Sequence, residues 1–240
     1  MDVKRWTFLL LPMLSAIIAA AGNSQRMGFD KLFATIADKP VIAHAIDAFE
    51  HTSSITGIIV VGRKDRLSEL EKIVHQGGWK KVQSIIPGGE HRQDSVCAGL
   101  EKIGGGGRYV AVHDAARPLV TPQQIERVFA ECQKHDAAAL AEPITDTLKR
   151  ADVDLAVIGS VDRDQVFAMQ TPQIFARELL IEAYQATAAK NISVTDEVSA
   201  VEYLGRKVVL IPSQDFNFKI TYPRDLPLAE FVLRQREARK

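Results

Sequence analysis

The stretch Ala19–Leu32, AAAGNSQRMGFDKL, combines small residues with two cations, Arg26 and Lys31. It directly follows the apolar run Leu14–Ile18, so it begins where a buried strand is expected to end. Glycine and alanine at such a turn let backbone N–H groups approach an anion closely, and the arginine and lysine add positive charge. The stretch therefore predicts a phosphate-binding loop with enough charge for a triphosphate.

This loop matches neither of two common glycine-rich signatures. Near it the sequence has no G-x-x-x-x-G-K-[ST] and no G-x-G-x-x-G. ATPases and dinucleotide-dependent oxidoreductases are therefore disfavoured. For this segment alone, an ordinary strand-to-helix turn with two solvated cations is the alternative.

Seven further motifs follow in order along the chain. They are Pro87–Ser95 (PGGEHRQDS), Tyr109–Pro118 (YVAVHDAARP), Asp146–Arg150 (DTLKR), Val161–Asp164 (VDRD), Gln170–Gln173 (QTPQ), Thr195–Ser199 (TDEVS) and Phe218–Asp225 (FKITYPRD). With AAAGNSQRMGFDK, this set resembles the 2-C-methyl-D-erythritol 4-phosphate cytidylyltransferase family of the non-mevalonate isoprenoid pathway. The resemblance extends from Leu14 to Arg234.

The resemblance implies transfer of CMP from CTP to 2-C-methyl-D-erythritol 4-phosphate, which yields 4-diphosphocytidyl-2-C-methyl-D-erythritol and pyrophosphate. The acceptor phosphate is itself the nucleophile, so the reaction needs in-line positioning and charge neutralisation rather than a covalent intermediate. Mg²⁺ or another divalent cation is the implied cofactor. Two alternatives stay open, a pentitol-phosphate (ribitol 5-phosphate) cytidylyltransferase and a non-catalytic nucleotide-binding regulatory protein, although the retained Arg26, Lys31 and Lys219 argue against the second.

The resemblance also implies the site residues. The catalytic residues would be Arg26, Lys31, Arg163 and Lys219. The residues expected to contact CTP are Ala20, Ala21, Gly22, Gly89, Glu90, Arg92, Ser95, Asp114 and Ala115. The residues expected to contact the acceptor are Asp114, Arg117, Thr147, Arg163, Thr171, Thr195 and Lys219. No metal ligand is assigned with certainty, because Mg²⁺ would be held mainly by the CTP phosphates, with Asp114 as the candidate from the protein.

The composition predicts one globular domain, residues 13–240. A chain of 240 residues with 46% hydrophobic content can bury a substantial core, and it shows no repeats. Its 30 basic and 30 acidic residues balance, so nothing favours nucleic-acid binding. Cys97 and Cys132 form no C-x-x-C pair and are expected to be free thiols of a cytoplasmic protein.

The N-terminus imitates a secretory signal. Lys4 and Arg5 precede the nearly uncharged run Trp6–Ala21, which ends in small residues. Cleavage there would destroy the phosphate loop, and a bilayer span needs about 20 residues, more than this run has. We therefore interpret Leu14–Ala21 as a buried strand, Met13 as the start of the domain and residues 1–12 as an N-terminal extension, with no membrane partner.

Strands and helices alternate along most of the chain, which predicts a doubly wound α/β fold with a mostly parallel sheet. The predicted strands are Leu14–Ala21, Gly57–Val61, Val82–Ile86, Tyr109–Val112, Ala137–Ala141 and Lys207–Ile211. The predicted helices are Pro40–Phe49, Asp65–Gln76, Ser95–Ile103, Pro122–His135 capped by Thr121, Phe175–Ala189, Asp196–Leu204 and Leu226–Arg239. The resemblance implies the Rossmann-like nucleotidyltransferase version of this fold.

Residues 146–173 break the alternation. They carry short β-like pieces among polar residues and lack the amphipathic helix that a crossover between parallel strands needs. We expect an extended arm here. The resemblance implies that this β-arm embraces a second subunit, so that the protein is a homodimer.

Overall fold

The computed structural model describes residues 13–22, 27–104 and 107–239. The proposed extension, residues 1–12, and the predicted catalytic residue Arg26 lie outside the described residues, as does the middle of the glycine run after the third helix.

A seven-stranded sheet forms the centre of the described structure. The strands are β1 (Leu14–Ala20), β2 (Thr35–Ile36), β3 (Lys39–Pro40), β4 (Ile55–Gly62), β5 (Val82–Pro87), β6 (Tyr109–Asp114), β7 (Ala137–Pro143), β8 (Leu148–Ala151), β9 (Val157–Val161), β10 (Phe167–Ala176) and β11 (Val209–Pro212). The central sheet has the order β11-β7-β10-β6-β1-β4-β5, in which only β10 is antiparallel to its neighbours. The other four strands form the small pairs β2–β3 and β8–β9.

Helices cover both faces of the sheet. They are α1 (Val41–Glu50), α2 (Leu67–Gly77), α3 (Arg92–Lys102), α4 (Pro122–His135), α5 (Arg177–Ala189), α6 (Glu197–Tyr203) and α7 (Asp225–Glu237), with short 3₁₀ turns at Lys31–Phe33 and Lys64–Arg66. Side chains of β1 alternate between two cores: Ala16 and Ile18 pack with α1, α4 and α7, whereas Ile17 packs with α3, α5 and α6. The doubly wound, mostly parallel fold predicted from the sequence is confirmed.

Three predicted helix starts are wrong. The second helix begins at Leu67, not at Asp65, which lies in the preceding 3₁₀ turn. The third helix begins at Arg92, not at Ser95, because the Asp94 carboxylate accepts a hydrogen bond from the His91 N–H and closes the first turn earlier. The fifth begins at Arg177, not at Phe175, because Phe175 is a fully buried strand residue paired with Val110 and Ala137.

The arm is shorter than predicted. The segment contains no crossover helix, as expected, and β8 and β9 form an antiparallel hairpin outside the central sheet. Residues from Phe167 onward, however, belong to β10, which pairs with β7 from Phe167 and also with β6 from Gln173 onward. Among the described residues, no helix is long and apolar enough to cross a membrane.

Candidate active site

A cavity of about 500 Å³ opens at the carboxyl ends of β1, β5 and β6. Open α/β sheets place their ligands at this edge, because the loops that leave parallel strands converge there. Its walls are formed by Ala19, Ala20, Ala21, Gly22, Lys31, Leu32, Gly89, Glu90, His91, Arg92, Ser95, Asp114, Ala116, Lys219 and Thr221. Among the described residues, every predicted CTP contact except Ala115 lines this cavity, and Ala115 is fully buried behind it.

The turns that follow β1 and β5 lie close to each other because a glycine, Gly88, stands at their contact. A Cβ added at Gly88 would lie 2.6 Å from the Cβ of Ala21, so only glycine allows these two turns to meet. Among the described residues, a Cβ added at Gly22 would meet no atom within 4 Å. Gly22 also lines the cavity, as expected of backbone that receives a ligand.

Asp114 is the electrostatic centre of the cavity. Its Oδ2 lies 2.8 Å from the Lys219 Nζ, and its Oδ1 accepts a hydrogen bond of 3.2 Å from the Arg92 Nε. Burial alone would raise the pKa of this carboxyl, but the charges of Arg92, Lys219 and Arg117 outweigh it and hold the pKa well below its usual range. Asp114 is therefore ionised and keeps two cations on the cavity wall.

The backbone behind Asp114 is fixed by a buried polar chain. The Asp114 N–H donates to the Thr171 hydroxyl at 3.0 Å. The His113 Nε2 lies 3.2 Å from the Arg117 carbonyl, which can only accept, so Nε2 carries the ring proton and donates it. The Nδ1 of the neutral ring is then an acceptor, and the Thr171 hydroxyl donates to it at 3.0 Å. Burial lowers the pKa of His113 to about 4, so the ring is neutral and its role is structural.

Lys31 also lines the cavity. It opens a 3₁₀ turn that Asp30 caps through the Leu32 N–H, and the buried Leu32 anchors this turn in the core. The Lys31 Nζ donates to the Ile220 carbonyl at 2.6 Å. Since Ile220 follows Lys219 directly, the two lysines lie on one stretch of wall.

Five predicted acceptor contacts do not line this cavity: Arg117, Thr147, Arg163, Thr171 and Thr195. The Arg117 guanidinium lies behind Asp114 and donates to the carbonyls of Asn217 and Met169 at 2.8 and 3.2 Å, and Thr171 supports the Asp114 backbone. Thr195 is exposed before α6. Both arm residues, Thr147 and Arg163, are exposed, and the Arg163 guanidinium donates to the Thr145 carbonyl.

Two residues that had no predicted role lie directly behind the cavity. Glu197 pairs with Arg92 through both carboxylate oxygens, and the Tyr184 hydroxyl donates to Glu197 at 2.7 Å. Burial alone would lower the pKa of Arg92, but the charges of Glu197 and Asp114 raise it. Glu197 lies within the TDEVS motif, but only the fold shows that it faces α3.

The described residues contain no cluster of three or more histidine, cysteine or acidic side chains that could hold a metal ion. The cavity wall offers Asp114, whose two oxygens already contact cations, and the exposed Glu90. Magnesium commonly binds through one or two carboxylates together with substrate phosphates. The donor set therefore fits Mg²⁺ that arrives with a triphosphate, rather than a preformed protein cage.

Comparison with known proteins gives consistent matches over nearly the whole chain. A family model described as "IspD: 2-C-methyl-D-erythritol 4-phosphate cytidylyltransferase" matches residues 14–235. A curated protein of that name from Desulforamulus reducens is 38% identical over 92% of this chain and 96% of its own length. Another from Halalkalibacterium halodurans is 36% identical over 94% of this chain and 99% of its own length.

Solved structures show the same likeness. The 4-diphosphocytidyl-2C-methyl-D-erythritol synthase of Anaerococcus prevotii superposes with a TM-score of 0.81 at 27% identity, covering 94% of this chain and 98% of that one. The 2-C-methyl-D-erythritol 4-phosphate cytidylyltransferase of Thermus thermophilus gives a TM-score of 0.75 at 30% identity, covering 92% and 99%.

Proposed function

The chain belongs to the 2-C-methyl-D-erythritol 4-phosphate cytidylyltransferase family, and we propose that the cavity around Asp114 is where it transfers the cytidylyl group of CTP to 2-C-methyl-D-erythritol 4-phosphate. The relatives are named for this acceptor, and neither a pentitol phosphate nor a regulatory role finds support among them. The observation that carries the proposal is the convergence of Lys31, Arg92 and Lys219 on one cavity at the carboxyl edge of the sheet.

The reaction requires these cations because negative charge accumulates around one phosphorus atom. An oxygen of the acceptor phosphate attacks the α-phosphorus of CTP, a new P–O bond forms, and the bond to the β-phosphate oxygen breaks to release pyrophosphate. The attacking phosphate is already anionic, so no protein base has to remove a proton. In this proposal Lys31 binds the triphosphate, Lys219 binds the acceptor phosphate, and both neutralise the charge that grows in the transition state. Arg26 keeps its predicted catalytic role as a proposal.

We further propose that Mg²⁺ enters with CTP, held mainly by phosphate oxygens, with Asp114 as the protein ligand. When bound, the ion would neutralise phosphate charge and orient the pyrophosphate leaving group. The protein itself binds and orients the substrates. The glycine-rich turns receive the nucleotide, and the Asp114 carboxylate holds Lys219 and Arg92 in place.

We also propose a homodimer formed through the β8–β9 hairpin. The hairpin carries apolar side chains that are exposed in the single chain, including Val153 at 96%, Leu155 at 84% and Val157 at 66% of their full accessible surface. Such a concentration of exposed apolar residues is typical of a protein interface. Burial of this hairpin against a second chain would also bring Thr147 and Arg163 to that chain's cavity.

We infer a cytoplasmic location, supported by the two unpaired cysteines, of which Cys132 is buried. Recovery of the protein outside the cytoplasm in fractionated cells would contradict this inference.

The decisive assay follows pyrophosphate release. Purified protein is incubated with CTP and Mg²⁺, and either 2-C-methyl-D-erythritol 4-phosphate or ribitol 5-phosphate is added in parallel. We expect release that depends on the methylerythritol phosphate, together with the cytidylylated product by mass spectrometry. If only ribitol 5-phosphate supports pyrophosphate release, the protein is a pentitol-phosphate cytidylyltransferase instead. If neither acceptor supports release, both hypotheses are refuted.

Gly22→Ala tests the nucleotide cradle. The added methyl group meets no atom of the described residues within 4 Å, so we expect the fold to be kept. If CTP lies against this turn, the methyl group occupies ligand space, and we expect the KM for CTP to rise about tenfold, the effect of modest overpacking. Gly104→Ala is the matched control, since its Cβ also meets no described atom within 4 Å and it lies beyond the far end of α3. Equal KM values for the two variants would show that the nucleotide does not approach Gly22.

A further inference from the structure

Glu197 is a fully buried carboxylate directly behind the CTP cavity. It is the first residue of α6, and its side chain is 0% exposed. Its Oε1 lies 2.6 Å from the Arg92 Nη1, its Oε2 lies 2.9 Å from the Arg92 Nη2, and the Tyr184 hydroxyl donates to Oε1 at 2.7 Å. Glu197 does not line the cavity, but its ion-pair partner Arg92 does.

This pairing decides which part of the Arg92 guanidinium meets Asp114. Glu197 takes the Nη1/Nη2 end in a two-bond contact, and the Nε is left for one longer bond of 3.2 Å to Asp114. Two-bond pairs between arginine and a carboxylate are the stronger and more directional kind. The Arg92 head group is therefore oriented mainly from behind the cavity, by a residue on another helix.

Without the Glu197 charge, Asp114 is the remaining carboxylate in contact with Arg92. The guanidinium would then be free to turn its two-bond edge onto Asp114 and to withdraw from the position where it lines the cavity. Lys219 would lose part of its hold on Asp114 at the same time, because both cations contact that carboxylate. Loss of Glu197 would thus disturb two cations that face the ligand.

We propose that Glu197, held by Tyr184, is a positioning residue for cytidylyl transfer that orients Arg92 toward bound CTP. This inference rests on the proposed function of the cavity as the CTP site. It assigns no contact between Glu197 and the substrate. A competing explanation is purely structural, in which the Arg92–Glu197 pair only fastens α3 to α6.

Glu197→Gln removes the charge while keeping the size of the side chain and an acceptor for Tyr184. We expect kcat/KM for CTP to fall about 30-fold, the scale for a hydrogen-bonded charge that is lost, with an unchanged circular dichroism spectrum. Glu202→Gln is the matched control, because it makes the same change at an exposed position of the same helix. A value of kcat/KM for Glu197→Gln equal to that of the control would overturn the proposal.

A double-mutant cycle tests whether Glu197 acts through Arg92. If it does, adding Glu197→Gln to Arg92→Met should not lower kcat/KM for CTP any further, because the group being positioned is already gone. The double variant also removes both charges of the pair together, which proteins tolerate better than removal of one. Losses that multiply in the double variant would show that Glu197 acts independently of Arg92 and would refute the proposal. Fastening alone would instead lower the melting temperature of Glu197→Gln and leave kcat/KM unchanged when the variant is assayed well below that temperature.

Two additional measurements keep the test decisive. If Glu197→Gln fails to fold, Glu197→Asp keeps the charge on a shorter side chain that cannot hold both Nη groups in place, and we expect about a tenfold loss in kcat/KM; an unchanged value overturns the proposal. Calorimetric titration with CTP alone gives the Kd directly, and we expect it to rise about tenfold in Glu197→Gln. Wild-type protein that binds CTP but uses no acceptor would contradict the proposed function, whereas an unchanged Kd in the variant would contradict the role of Glu197.

Discussion

Lys31→Ala should lower kcat about a hundredfold or more, the scale for removal of one preorganised group that stabilises transition-state charge. The Lys31 Nζ lines the cavity on the wall that also carries Lys219. Charge on the transferred phosphoryl group increases along the reaction, so the lysine should matter more in the transition state than in the bound ground state. We therefore expect only a several-fold rise in the Kd for CTP, measured by calorimetry beside the steady-state rates.

Lys64→Ala is the matched control for this variant. Lys64, like Lys31, is the first residue of a 3₁₀ turn, but it is exposed and lies outside the cavity. Loss of the bond from Lys31 to the Ile220 carbonyl should cost only about 1 kcal/mol of stability, so both variants should be folded. Turnover by Lys31→Ala at the rate of Lys64→Ala would show that Lys31 is not part of the catalytic machinery.

The positions of Gly22 and Asp114 at one edge of the sheet could be predicted from the sequence because both follow unbroken apolar runs. Such runs predict strands covered on both faces, and the residues that come next must then emerge at one edge of a parallel sheet. The structure places Gly22, Lys31 and Asp114 around one cavity at that edge. Local patterns were sufficient for Gly22 and Asp114 because both lie at or directly after a strand end.

The role of β10 could not be predicted in the same way. Its polar residues Gln170, Thr171 and Gln173 suggested an exposed arm, but all three are buried, where they bond to other polar groups. Their partners are far away along the chain, for example Asp196 for Gln173. A sequence pattern shows that a residue is polar but not that it has a distant partner. For that reason β10 was not predicted as a strand of the sheet, and α5 was predicted to begin at Phe175, inside that strand.

Glu197 and Tyr184 were missed for a related reason. Tyr184 lies in α5 and Glu197 in α6, each among apolar residues of its helix. Arg92 is 105 positions from Glu197, and no sequence spacing indicates their contact. Only the packing of α6 against the site brings the carboxylate to the guanidinium. Residues of the cavity wall could be predicted from motifs, whereas the contact between Glu197 and Arg92 required the fold.

The largest regain of activity should come from mixing two inactive variants, Lys31→Ala and Arg163→Ala. In our proposal each active site of a two-fold dimer takes Lys31 from one chain and Arg163 from the other chain's arm. When the variants are unfolded and refolded together, about half of the dimers should be mixed, and each mixed dimer has one site with both defects and one intact site. We therefore expect roughly a quarter of wild-type activity, followed as pyrophosphate release.

The control is a mixture of Lys31→Ala with Lys219→Ala. Both lysines line the same cavity of one chain, so every site in a mixed dimer keeps one defect and no activity should return. Native mass spectrometry would confirm that mixed dimers form in both experiments. If the Lys31→Ala and Arg163→Ala mixture stays inactive although mixed dimers are present, Arg163 does not complete the neighbouring site, and the exposed apolar residues of the β8–β9 hairpin need a different explanation. Recovery of activity in both mixtures would show that the regain does not depend on the arm. Lys31 and Lys219 line the same cavity of one chain, so a mixed dimer of these two variants has no intact site.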